Sequence, residues 1–283
     1  MRKEEKNFIS GIWKDNSMEK IKTLLTGLVP GVVFILAQSI IVLCFDTVCW
    51  LIAAALANVG IAPSGFLETM EREGSYLIGI IGDGIFLIFG FLWYRRLFWY
   101  VRQEEGKKVL GVKALLFLLV SGAALQFATD VILTWMQVFL PRMMESYGQV
   151  MESLGMTSPS ICSVLYTVVF APVAEELAFR GLTMRILRRE FSFWTANLIQ
   201  ALFFALMHGN LVQGIYALAA GMFLGWIFRR YGSLKAPVLC HFAVNLSGVL
   251  MGFFPFGVLG LTAGAVILAA AAVILGYSEE KRE

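Results

Sequence analysis

The chain has 283 residues, of which 58% are hydrophobic and 15% charged, and its formal net charge is +3. Soluble domains carry about 25% charged residues. With a mean hydropathy of +0.75, the composition excludes a soluble globule and implies an all-α, polytopic membrane bundle whose solvent is the lipid bilayer. The four cysteines, Cys44, Cys49, Cys162 and Cys240, lie in apolar runs with no CxxC pair, so they read as small buried hydrophobes.

The first 22 residues are polar and too long for the n-region of a signal peptide, so the first apolar run is expected to stay as an anchor. A crossing helix needs about 20 apolar residues, and eight segments qualify or nearly do. The first starts near Leu24 and runs to about Leu56, with a tilt or break expected near Asp46. The next three are about Ser75 to Trp93, Val112 to Val138, and Ser160 to Gly181. A short fifth covers Trp194 to His208, and the sixth Leu211 to Phe228. Ala236 to Phe254 and Gly257 to Gly276 complete the set. The resulting organisation is a tail over 1–23, one helical membrane domain over 24–278 and a short tail over 279–283.

Basic residues orient this layout. Of the 23 Lys and Arg, all but Arg72 and Arg142 fall on one side. They cluster before the first span, at 95–113, at 180–189, at 229–235 and at 281–282. The positive-inside rule then places both termini in the cytoplasm. The expected location is the plasma membrane of a prokaryotic cell. No nucleic-acid partner is expected, and oligomeric state is not legible.

Ionisable residues inside spans are costly and point to function by default. Here they are Asp46, Asp83, Asp130, Glu175, Glu176, Arg180, His208 and His241, and the two histidines are the only ones in the chain. Asp83 and Asp130 read as packing glue or cavity lining. In "APVAEELAFRG" (171–181), Glu176 and Arg180 are four apart and share a helix face. Glu175 points about 100° away, so it has no local partner and is free to act as a base or acid. His241 and Asn245 are also four apart, and Phe204 lies one turn before His208. Gly209, Gly214, Gly221 and Gly225 would let helices approach closely. Each group also has a bland reading: a helix-stabilising pair for Glu176 and Arg180, an interfacial position for His208, interhelical glue for His241 and Asn245. Their conjunction on three helices favours a site.

The motifs "EELAFR" (175–180), "FALMH" (204–208) and "HFAVN" (241–245), in this order, resemble the CPBP family, which groups CAAX prenyl proteases of the Rce1 type with bacteriocin-processing, or Abi, proteins. The resemblance covers about residues 160 to 255. It implies an intramembrane endopeptidase acting on membrane-associated peptides, such as CaaX-like tails or bacteriocin leaders, near the cytoplasmic face. Within it, Glu175 and His208 would activate a water, His241 and Asn245 would stabilise the oxyanion, and Glu176 and Arg180 would position helix or substrate. A metal alternative uses the same atoms. Glu175, His208 and His241 could hold a divalent ion such as zinc, with Glu176 as base. Two other functions compete: a non-catalytic, immunity-like scaffold or regulatory partner, and a proton-coupled transporter.

Depth is the critical geometric requirement. At 1.5 Å per residue, Glu175 lies about 15 Å from Arg185, whereas His208 lies about 21 Å from Trp194. The two come level only if the fourth and fifth spans form an extended hairpin turning near residue 191 or 192.

Overall fold

In lipid no backbone N–H or C=O can be left to water, and an apolar run solves this locally by coiling into a helix. The computed structural model describes residues 3–99, 111–153, 159–254 and 256–280. Regular structure among these is entirely helical. The chain forms α1 (Lys3–Asn58), α2 (Ser64–Thr69) and α3 (Ser75–Leu97), the last two joined by a π-helical turn at Met70–Gly74. It continues with α4 (Val112–Phe139) and α5 (Pro141–Ser153). A long helix, α6 (Ile161–Leu187), follows. The remainder is α7 (Phe193–Met207), α8 (Leu211–Tyr231), α9 (Lys235–Met251) and α10 (Val258–Glu280).

All eight expected segments fall in helices. Six helices are long and apolar enough to cross a membrane, while Phe193–Met207 and Lys235–Met251 are shorter. The protein is an integral helical membrane bundle. The basic residues Arg2, Arg102, Lys107, Lys108, Lys281 and Arg282 lie outside the described residues.

Two boundaries differ from expectation. The helix that carries the first expected span, from near Leu24, starts before it, its backbone being helical from Lys3. It also does not break near Asp46, and it continues through Pro30 to Asn58. Asp46 is exposed on the outside of the bundle, so no backbone has to open to satisfy its carboxylate. The amphipathic α5 was not anticipated. Its Tyr147 hydroxyl lies 3.3 Å from that of Tyr216 on α8.

Helix ends follow their sequence signals. Ser160, Ser192 and Asn210 each accept a hydrogen bond from the backbone amide three residues on, satisfying an amide that the first turn leaves open. Gly232 ends α8 in the left-handed region, at φ 59°, where a Cβ would be strained. The turn between α6 and α7 occupies residues 188–192, so α6 extends well beyond Gly181 and the two helices form a long hairpin.

The core joins α1, α3, α6, α7 and α8 through Phe34, Phe86, Leu177, Phe179, Phe204 and Ala217. A second cluster packs α4, α8, α9 and α10 through Leu118, Leu224, Cys240 and Ala272. Gly122 lets α4 close on α9, since a Cβ there would meet the Cys240 carbonyl oxygen and the Val244 amide. At the basic end, Arg185 lies over the rings of Tyr94, Phe98 and Phe228. Arg229 lies over Phe193 at 4.4 Å. These cation–π contacts tie α3, α6, α7 and α8 together at that end.

Candidate active site

The helix that carries the two glutamates is not regular. α6 widens into π-helical turns at Tyr166–Phe170 and Leu177–Thr183, a distortion frequent at functional sites. In the first, the Ala171 amide bonds to the Tyr166 carbonyl, one residue further back than in an α-helix. The next amide in that register would belong to residue 172, which is proline. The Thr167 carbonyl instead accepts from Asn245 Nδ2 of α9, at 2.7 Å.

Glu176 and Arg180 are both fully buried, 2.7 Å apart. Arg180 Nη2 also donates to the Gly221 carbonyl at 3.1 Å, and its guanidinium lies 4.6 Å over the Phe204 ring. The same carbonyl accepts from Gln200 at 3.0 Å. Gln200 in turn donates to Asn197 Oδ1, and Asn197 to the Met222 carbonyl. This polar seam fits between α7 and α8 because Gly221 faces Ala201 and Phe204 while Gly225 faces Asn197 and Gln200. Asn197 and Gln200 were missed in the sequence. Their signal was spacing: with Phe204 and His208 they make one stripe along α7.

In both histidines Nδ1 is fixed as a donor. His241 Nδ1 lies 2.9 Å from Glu176 Oε1. A carboxylate held by Arg180 only accepts, so Nδ1 carries the proton. Nε2 of the same ring lies 3.8 Å from Glu175 Oε2. His208 caps α7, its Nδ1 lying 2.8 Å from the Phe204 carbonyl, one of the last-turn carbonyls without an intrahelical donor. A carbonyl also only accepts, so Nδ1 is again the donor, and a neutral His208 keeps its lone pair at Nε2. The Phe204 ring meets both imidazoles edge-on, at 4.9 Å for His208 and 6.1 Å for His241. Glu175, Glu176, Arg180 and His241 thus meet between α6 and α9, the Phe204 ring of α7 touches His208, His241 and Arg180, and Asn245 lies one turn from His241 with its amide on the Thr167 carbonyl.

Two details extend the sequence reading. Glu175, expected to lack a partner on its own helix, has the His241 ring of α9 beside it. Glu176 serves two partners, Arg180 and His241, through the same oxygen, while Oε2 has no hydrogen bond among the described residues. Neither could be read from spacing within one helix. Of the glycines, Gly221 and Gly225 are close-approach sites, but Gly209 faces open space and instead supplies φ 65° in the turn after His208. Asp83 on α3 is fully buried and accepts from Gln38. Asp130 accepts from Gln126 at 3.1 Å.

The metal alternative would draw on Glu175, His208 and His241. Among the described residues no three His, Cys, Asp or Glu side chains gather as an ion-binding group. Nδ1 of each histidine faces a protein acceptor, which leaves Nε2 as the nitrogen a metal would take.

Comparison with known proteins bears on this part of the chain. Residues 157–247 match the Rce1-like family, described as Type II CAAX prenyl endopeptidase Rce1-like. An Escherichia coli protein, "Uncharacterized 24.3 kDa protein", is 32% identical over 101 residues, covering 33% of this chain and 46% of the relative. The Bacillus subtilis (strain 168) protein "Putative membrane peptidase YdiL" is 24% identical over 92 residues, covering 32% of this chain and 38% of the relative. The chain thus spans under half the length of these curated relatives. No solved structure matches.

Proposed function

We propose, from an Rce1-like segment set in a helical membrane bundle, that the protein is an intramembrane endopeptidase. It hydrolyses peptide bonds of membrane-associated substrates with a water activated by Glu175 and His208. The observation that carries this reading is the grip on His241: Glu176 at one ring nitrogen and Glu175 at the other, beside a Phe204 ring shared with His208.

The chemistry follows from those positions. Glu175 has one oxygen toward His241 and is reached by solvent more than Glu176, its side chain being 14% exposed against 0%. It is the carboxylate able to take a proton from water, with the His208 lone pair at Nε2 as second acceptor. The attack makes a tetrahedral oxyanion, which needs donors fixed in advance. His241 faces it through Nε2, while Asn245, one turn along the same helix, is bonded to the Thr167 carbonyl. Because Nδ1 is committed to Glu176, donation from Nε2 requires the imidazolium, and the two glutamates flanking the ring supply its counter-charge. Glu176 and Arg180 hold the ring and do not touch the reacting atoms. Substrates with a lipid-anchored tail, of which CaaX-like peptides are one class, present a peptide bond near the bilayer surface where such a site can take it.

The test is cleavage of a quenched-fluorescent, farnesylated CaaX-type peptide by purified protein in nanodiscs. Glu175→Gln and His208→Ala are each expected to lower kcat by at least about 10²-fold at unchanged melting temperature. Full activity in Glu175→Gln would refute the mechanism.

A further inference from the structure

We infer that Asn245 is a positioning residue whose side-chain amide replaces the backbone N–H that Pro172 lacks, locking α9 against α6 at the height of the glutamates. Three observations meet at one atom, the Thr167 carbonyl oxygen. In an α-helix it would accept from the Ala171 amide, but that amide is taken by Tyr166. In the π register it would accept from residue 172, which is proline and has no N–H. The remaining donor is Asn245 Nδ2, at 2.7 Å from the neighbouring helix.

Leaving a carbonyl without a donor inside an apolar helical bundle is costly. The proline therefore creates a vacancy that only a residue on α9 fills. Asn245 lies one turn from His241 on that helix. Thr167 lies two turns before Glu175 on α6. The clamp therefore fixes the register in which the His241 ring reaches Glu175 and Glu176. In the proposed hydrolysis, Asn245 acts through His241 and not on the substrate.

The test separates this role from direct contact with an oxyanion. Asn245→Ala, Pro172→Ala and the double variant are purified and their melting temperatures measured. Asn245→Ala is expected to melt about 5 °C lower than the parent. Adding Pro172→Ala restores a backbone donor, so the double variant recovers most of that loss. Asn245→Asp, which keeps the shape but sets a carboxylate oxygen against the carbonyl, is expected to melt below Asn245→Ala. The activity arm rests on the endopeptidase reading: cleavage of the farnesylated peptide falls about tenfold or more in Asn245→Ala and returns in the double variant. The inference is overturned if the double variant melts no higher than Asn245→Ala, or if Asn245→Asp melts with the parent. It is equally overturned if Asn245→Ala loses cleavage at parental melting temperature with no rescue by Pro172→Ala. If the melting pattern holds while even the parent leaves the peptide intact, the clamp stands and the endopeptidase reading falls.

Discussion

The Glu176→Gln substitution tests the charge arrangement most directly. Arg180 is completely buried and has three supports: the Glu176 carboxylate at 2.7 Å, the Gly221 carbonyl at 3.1 Å and the Phe204 ring at 4.6 Å. Only the first carries a full negative charge. Making it an amide keeps the shape and leaves a guanidinium buried without a counter-ion, a change that costs about 3–5 kcal/mol when one partner of such a pair is removed. For a chain of this size each kcal/mol moves the melting temperature by about 2–4 °C, so a fall of about 10 °C is expected in detergent. Arg180→Met added to Glu176→Gln removes the stranded charge as well and should recover most of the stability. Cleavage should not recover, because His241 has lost the carboxylate that orients it. A Glu176→Gln protein that melts with the parent would show that Arg180 does not depend on this pair, and the account of the network would fail.

Chelation by 1,10-phenanthroline is expected to leave cleavage of the farnesylated peptide unchanged, and loss of activity restored by added zinc would instead favour the metal alternative. Gly122→Ala places a methyl group against the Cys240 carbonyl and Val244 amide. Backbone atoms cannot swing aside, so a loss of about 1–3 kcal/mol is expected, read as a lowered melting temperature.

The spans were legible because lipid enforces a simple code: long apolar runs must be helices. The pairing of Glu176 with Arg180 was legible for the same local reason, since four residues of helix bring the two together. What lay beyond a single helix was not. The contact of His241 with both glutamates depends on the height of α9 relative to α6. The Asn197–Gln200 seam depends on α8 coming close enough to offer its carbonyls. The π-helical turns of α6 also escaped, because a register shift follows from where tertiary donors are supplied. Pro172 was visible in the sequence, but its orphaned carbonyl has meaning only beside Asn245.

The two helices that supply the histidines are also the short ones, with 15 residues in α7 and 17 in α9. At 1.5 Å per residue α7 is about 22 Å long, against roughly 30 Å of hydrocarbon in a typical bilayer. A helix that stops short draws the membrane surface inward toward its end. His208 stands at that end, followed by the turn at Gly209. A helix of that length is expected to leave the histidine nearer to water than a full span would. The thickness of the surrounding lipid becomes a control on how wet the site is.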